Sequence, residues 1–157
     1  MIEKDEVNTK ALKDIIKALE EIQYAKVGIL GNKNARSDDG ESTNAEIGLK
    51  HEFGEDGMPI RSFLRMPIAL MLNQELEKSG AFDEEAIKKI KDEKSFKTFI
   101  KKIGIVGERC VQKAFDSGGF GQWKKSNMNF KQNKQTLVET QQLRNSITSE
   151  VIDDTSK

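Results

Sequence analysis

His51 and Glu52 stand side by side, and His51 is the only histidine in the chain. An imidazole next to a carboxylate is the raw material of metal sites and of acid–base sites. A zinc-hydrolase helix needs HExxH, because ligands at i and i+4 share one face. Position 55 is Glu, so any metal-assisted hydrolase built on His51 and Glu52 would have to recruit further carboxylates from the 26 acidic residues. The competing reading is a His near a helix C-terminus, where partial positive charge is favourable. It is the preferred one.

Two other candidates carry less chemistry. Cys110, the one cysteine, falls on an apolar helical stripe. A nucleophilic thiol wants an electropositive, accessible setting, so an inert core thiol is expected. The segment GGFGQWKK at 118–125 lacks the GxxxxGK[ST] spacing of a phosphate loop. It does set Phe120 and Trp123 beside Lys124 and Lys125, with Phe130 and Lys131 following. Aromatics among lysines can stack on single strands, so a nucleic-acid-binding module using Trp123 is a third reading. The commoner use of such aromatics is to anchor a loop to the core or to a neighbouring subunit. The lysine run at 88–102 is broken by Asp92 and Glu93 and reads as a solvated helix face.

The totals narrow the choice. At 157 residues the chain suits one domain, with frayed ends at 1–4 and 153–157. Lys and Arg number 26 and Asp and Glu 26, so the net charge is zero. No whole-protein field to hold nucleic acid or an anionic membrane is expected. No apolar run approaches the roughly 20 residues of a membrane span. The polar start MIEKDEVNTK predicts no signal peptide, and a single cysteine suits the cytosol.

Elements must position these residues. Leu12, Ile15, Ile16, Leu19 and Ile22 predict an amphipathic helix over 5–22. A strand is expected at 24–30, then an exposed mobile loop at 31–42. Thr43 and Glu46 form a capping box. The helix they open, 44–53, carries Ala45, Leu49 and Phe53 on one face and stops at Gly54 in a left-handed turn. Pro59 turns the chain into an extended 60–64, and Pro67 opens a helix over 67–79. A short helix or solvated connection follows at 83–94. The long stripe from Phe96 to Ala114 predicts a helix at 95–116. Gly104 and Gly107 within it mark a bend or the close approach of another helix. Residues 118–138 form a long weak segment. Thr140 caps a short helix to Asn145, and 147–152 is a terminal strand. Strands at 24–30, 59–64 and 147–152 share a mostly antiparallel sheet, covered by helices 67–79 and 95–116. The fold class is α+β, a small sheet packed with two to four helices.

Two blocks carry a resemblance. The first is Thr43, Ala45, Glu46, His51, Glu52, Phe53 and Gly54, continued by Pro59, Arg61, Phe63, Leu64 and Arg65. The second is Leu137-Val138-Glu139-Thr140, then Leu143, Arg144, Asn145, Ser146 and Ile147, with Trp123 in the loop before it. Together they resemble the virion morphogenesis proteins of tailed bacteriophages, the neck (head–tail connector) and tail-completion family. Gln141 stands where that family usually has Gly, Glu139 where it has Asp, and Pro is missing before Leu137. The resemblance implies an α+β fold, oligomeric (hexameric) rings at the portal–tail junction, and a place in the virion after assembly in the host cytoplasm. It implies partners on the connector or tail-tube side and no catalysis; no membrane, specific nucleic acid, cofactor or metal is expected. Arg61 and Arg65 around Phe63 are read as interface chemistry.

Overall fold

A computed structural model describes residues 9–20, 22–36, 42–55, 58–124 and 141–154. The elements are α1 (Thr9–Glu20), β1 (Ile22–Ile29), a 3-10 turn (Gly31–Asn34), α2 (Asn44–Phe53), α3 (Arg65–Lys78), α4 (Glu84–Ile87), α5 (Glu93–Ser117), α6 (Gln142–Asn145) and β2 (Ile147–Asp154). The fold is α+β.

β1 and β2 come from opposite ends of the chain and pair antiparallel, from Ile22 opposite Asp154 to Ile29 opposite Ile147. Two strands bury too little to stand alone, and α5 lies across both. Its two glycines make that approach close. A Cβ on Gly104 would stand 3.0 Å from Ser149 Cβ and 3.3 Å from Ala25 Cβ, and one on Gly107 would stand 2.9 Å from Val27 Cγ2. They admit the sheet, where the sequence suggested a bend or a second helix.

Two expectations about the sheet need correcting. Residues 59–64 form no strand, and among the described residues the sheet has two strands. Helix α3 packs on α5 instead of the sheet. It joins through Leu76, Ala81 and Val106, with Leu72 and Ile103 beside them. Glu75 of α3 is buried and pairs with Lys113 of α5 and with Lys78 at 3.2 Å. The main core gathers Phe63, Val111, Ala114, Phe115, Trp123, Leu143 and Ile147.

Helix α2 matches its predicted bounds, and its capping box forms: Glu46 N–H donates to Thr43 Oγ1 at 3.2 Å and Thr43 N–H to Glu46 Oε2 at 2.7 Å. Its orientation is the reverse of the apolar pattern. Leu49 is 58% and Phe53 53% exposed, while Asn44, Gly48 and Glu52 face inward. The reason is polar docking. Asn44 Nδ2 donates to the carbonyls of Lys33 and Ala35 at 3.0 and 3.1 Å, and Ala45 N–H donates to Asn34 Oδ1 at 2.7 Å. These bonds also hold residues 31–36, the first half of the loop expected to be mobile. At Gly48 a Cβ would come within 3.1 Å of Ile29 and 3.2 Å of Phe63, so α2 seats closely on its glycine side.

Candidate functional site

Glu52 sits at the end of α2, 5% exposed. Its carboxylate accepts five hydrogen bonds across the entry to α3. Phe63 and Leu64 donate their backbone N–H groups to Oε2 at 2.9 and 3.0 Å. Ser62 Oγ donates to Oε1 at 2.6 Å, Arg65 N–H at 3.1 Å and Arg65 Nε at 2.9 Å. Met66 N–H then donates to Ser62 Oγ at 3.0 Å. The first turn of a helix leaves backbone N–H groups without partners, and its positive end favours an anion. Leu64 offers no side-chain cap at the start of α3, so a carboxylate from α2 supplies one. Burial raises the Glu52 pKa, but the bonds from Ser62, Leu64 and Arg65 outweigh it and hold the carboxyl below its ordinary value. A carboxylate has about four lone-pair sites. With five donors converging on it, Glu52 has none left to offer a metal ion or a substrate proton.

His51 lies in the last turn of α2, as its position suggested. Its carbonyl accepts Arg61 N–H at 2.7 Å, and its Nδ1 lies 3.4 Å from Arg61 Nη1. Arg61 is 5% exposed, and Nε and Nη2 both donate to the Lys124 carbonyl, at 3.2 and 3.1 Å. Burial lowers its pKa. Arg61 thus ties the end of α2 to the chain just past Trp123. Gly54 has φ of 74° but ψ of 126°. That lies outside the left-handed helical region expected of it and sends the chain out extended. Pro59 stands half-buried in the return.

Trp123 is packed edge-on to Phe115 at 5.6 Å, and Phe115 meets Phe63 at 5.4 Å. The indole rests on Gly119, where a Cβ would lie 2.2 Å from the ring. At φ of 66° that position already favours glycine. Buried in this way, Trp123 offers no free face for a base to stack on.

The second block joins the same core. Leu143 is buried against it, and buried Ser146 donates Oγ to the Leu143 carbonyl at 2.6 Å. Arg144 Nη2 donates to Asp116 Oδ1 at 2.8 Å, and Gln112 Nε2 to the Arg144 carbonyl at 3.1 Å, tying α6 to α5. Thr140 and the preceding residues Leu137–Glu139 lie outside the described residues, and α6 begins at Gln142. Gln141, where the resemblance expects glycine, has φ of 52°.

The structure therefore brings Glu52, Arg61, Phe63, Trp123, Leu143 and Ser146 together, but inside the protein. Arg61 and Phe63 are not interface residues of this chain's surface. Phe53 and Arg65 are on the surface, with Arg65 Cζ 4.4 Å from the Phe53 ring centre. Sequence reasoning missed Asn44 and Ser62. Only their places beside a cap and beside an arginine-rich segment could have pointed to them. Cys110 is fully buried, and burial pushes its thiol pKa up. Among the described residues no three His, Cys, Asp or Glu side chains cluster as a metal would need. None of the described helices is long and apolar enough to cross a membrane. Compared with protein-family models, curated proteins and solved structures, the chain finds no match.

Proposed function

We propose that this chain is a structural virion protein of a tailed bacteriophage that completes or joins the neck or tail by protein–protein assembly, in an oligomeric ring. The observation that carries the reading is the outward row on α2. Leu49 and Phe53 are exposed, and so is Ile60, which lies against Gly54 where a Cβ would meet it at 2.8 Å. Large apolar side chains grouped at the surface mark contact surfaces, and arginine beside an aromatic is common in them. The resemblance of the two sequence blocks supports the phage setting. In this reading those blocks act indirectly: Glu52, Arg61 and Trp123 hold α2 and the start of α3 so that Leu49, Phe53 and Arg65 face a neighbour.

The mechanism is binding. The protein docks on a connector or tail-tube protein and closes a ring there. The purified chain is expected to be monomeric or weakly associated alone and to assemble when mixed with a tail-tube protein, as light scattering would show. Leu49→Asp with Phe53→Ser should abolish assembly while leaving the circular dichroism spectrum unchanged. Particles lacking the protein should have unjoined heads and tails. Normal infectious particles without it would overturn the reading.

A further inference from the structure

A cleft of about 620 Å3 opens between α5 and the chain that joins α3 to it. One wall is α5 from Ser95 to Arg109, about four turns or about 21 Å. The other runs from Ser79 to Ile90. The floor is apolar, with Ala81 and Val106 buried and Phe99 half-buried beneath them. Exposed Phe82 meets Phe99 at 5.7 Å, and exposed Ile87 and Ile105 lie nearby on the same elements.

The rim is mainly cationic. Lys89, Lys94, Lys102 and Arg109 line the cleft, and Asp92 is the only carboxylate among its lining residues. Asp92 is occupied, accepting Ser95 N–H at 2.8 Å and Ser95 Oγ at 2.7 Å as the cap of α5. Among the described residues none of the four is in a salt bridge, although Lys94 acts electrostatically on Asp92 and helps lower its pKa. Some neighbouring lysines are paired, Lys88 with Glu84 at 2.7 Å, Lys97 with Asp153 and Lys113 with Glu75. In a chain of zero net charge, four cations and one carboxylate thus line this apolar groove. On α5 they recur about every two turns.

We infer that this cleft is a docking site for an acidic amphipathic helix of a partner protein. Its apolar face lies on Ala81, Phe99 and Val106, and carboxylates spaced about two turns apart meet Lys94, Lys102 and Arg109, with Lys89 opposite. Helix-in-groove recognition uses this combination of apolar anchors and flanking charge. A nucleic acid fits less well. Phe99 is half-buried, with Phe96 stacked on it at 6.4 Å and Phe82 edge-on at 5.7 Å, so it is not an open platform for a base. The site is separate from the α2 surface and stands whether or not that surface builds a ring.

The test is selection of a displayed library of random 16-residue peptides on the full chain, then titration against Lys102→Glu with Arg109→Glu. Both residues are exposed. Enriched peptides should be net negative with apolar residues at i, i+3 or i+4, and should bind the double variant at least ten-fold more weakly. Versions with their acidic residues changed to Lys should prefer the variant. If the pair perturbs the circular dichroism spectrum, Lys89→Glu with Lys94→Glu gives the same readout. Enrichment without acidic bias, or equal affinity for both forms, overturns the inference. So does an oligothymidine strand that binds through the same residues more tightly than any peptide.

Discussion

The carboxylate of Glu52 accepts the backbone N–H of Phe63 at 2.9 Å in the protein interior, so the last turn of one helix caps the first turn of the next. Glu52→Ala should leave several of these donors unpaired and lower stability by roughly 2–4 kcal/mol, since a bond to a charged group contributes about 1.5–3 kcal/mol. Glu52→Gln keeps the shape but turns an NH2 toward N–H donors, and should lose about half as much. Urea unfolding measures both. The pH dependence follows from the direction of the shift. Because the folded pKa lies below the ordinary 4.5, the unfolded chain binds the proton first. The stability is complete above 4.5 and is lost as pH falls through the lower folded value. Glu52→Gln should lack that part of the acid slope. An identical slope in variant and parent would refute the cap.

Arg61 reaches Lys124 with two nitrogens of one planar fork, which lysine cannot reproduce. Arg61→Lys is expected to cost roughly 2 kcal/mol. Trp123 is the only tryptophan and sits one residue from the accepting carbonyl, so its fluorescence reports the damage directly. Emission of the folded variant should shift to the red as the indole gains water. An unshifted spectrum would mean that Arg61 does not hold this segment.

Gln141 adopts φ of 52°, and the left-handed region costs an L-residue about 1–2 kcal/mol. Glycine relieves that strain but loses more entropy on folding. Gln141→Gly should therefore raise stability by about 0.5–1 kcal/mol, seen as a higher melting temperature. A lower one would show that the side chain is holding something.

Gly104 and Gly107 test which of two effects is larger. Alanine is about 1 kcal/mol better in a helix, but overpacking costs about 1–3 kcal/mol. At Gly104 the new methyl would meet Ser149 Cβ and Ala25 Cβ, atoms fixed to the two strands. Gly104→Ala and Gly107→Ala should each lower the melting temperature, by about 1 kcal/mol in stability. A rise in either would mean that α5 and the sheet are looser than the packing indicates.

Much of the fold was legible because its signals are local. The Thr43 and Glu46 box, the Phe96 to Ala114 stripe and the alternation at 147–152 each announce an element within a few residues. The site was less legible. Nothing near Glu52 says that its partners are ten to thirteen positions on, and nothing near Trp123 says that it lies on Gly119 and Phe115. The α2 stripe pointed the wrong way because burial of Asn44 and Glu52, each satisfied by bonds to distant backbone, outweighed the outward placement of Leu49 and Phe53.

The amino-acid order by itself determined the capped helix α2, the long helix α5, the two strands to within a few residues, the zero net charge and the absence of a second imidazole for His51. These depend on periodicity, caps and composition. Tertiary structure alone decided that Glu52 caps α3, that Arg61 and Phe63 lie inside, and that four cations line one cleft. Those outcomes depend on which groups lose water together. That is settled only when segments far apart in the chain compete for the same interior, and a hydrogen-bonded carboxylate can then displace a leucine from it.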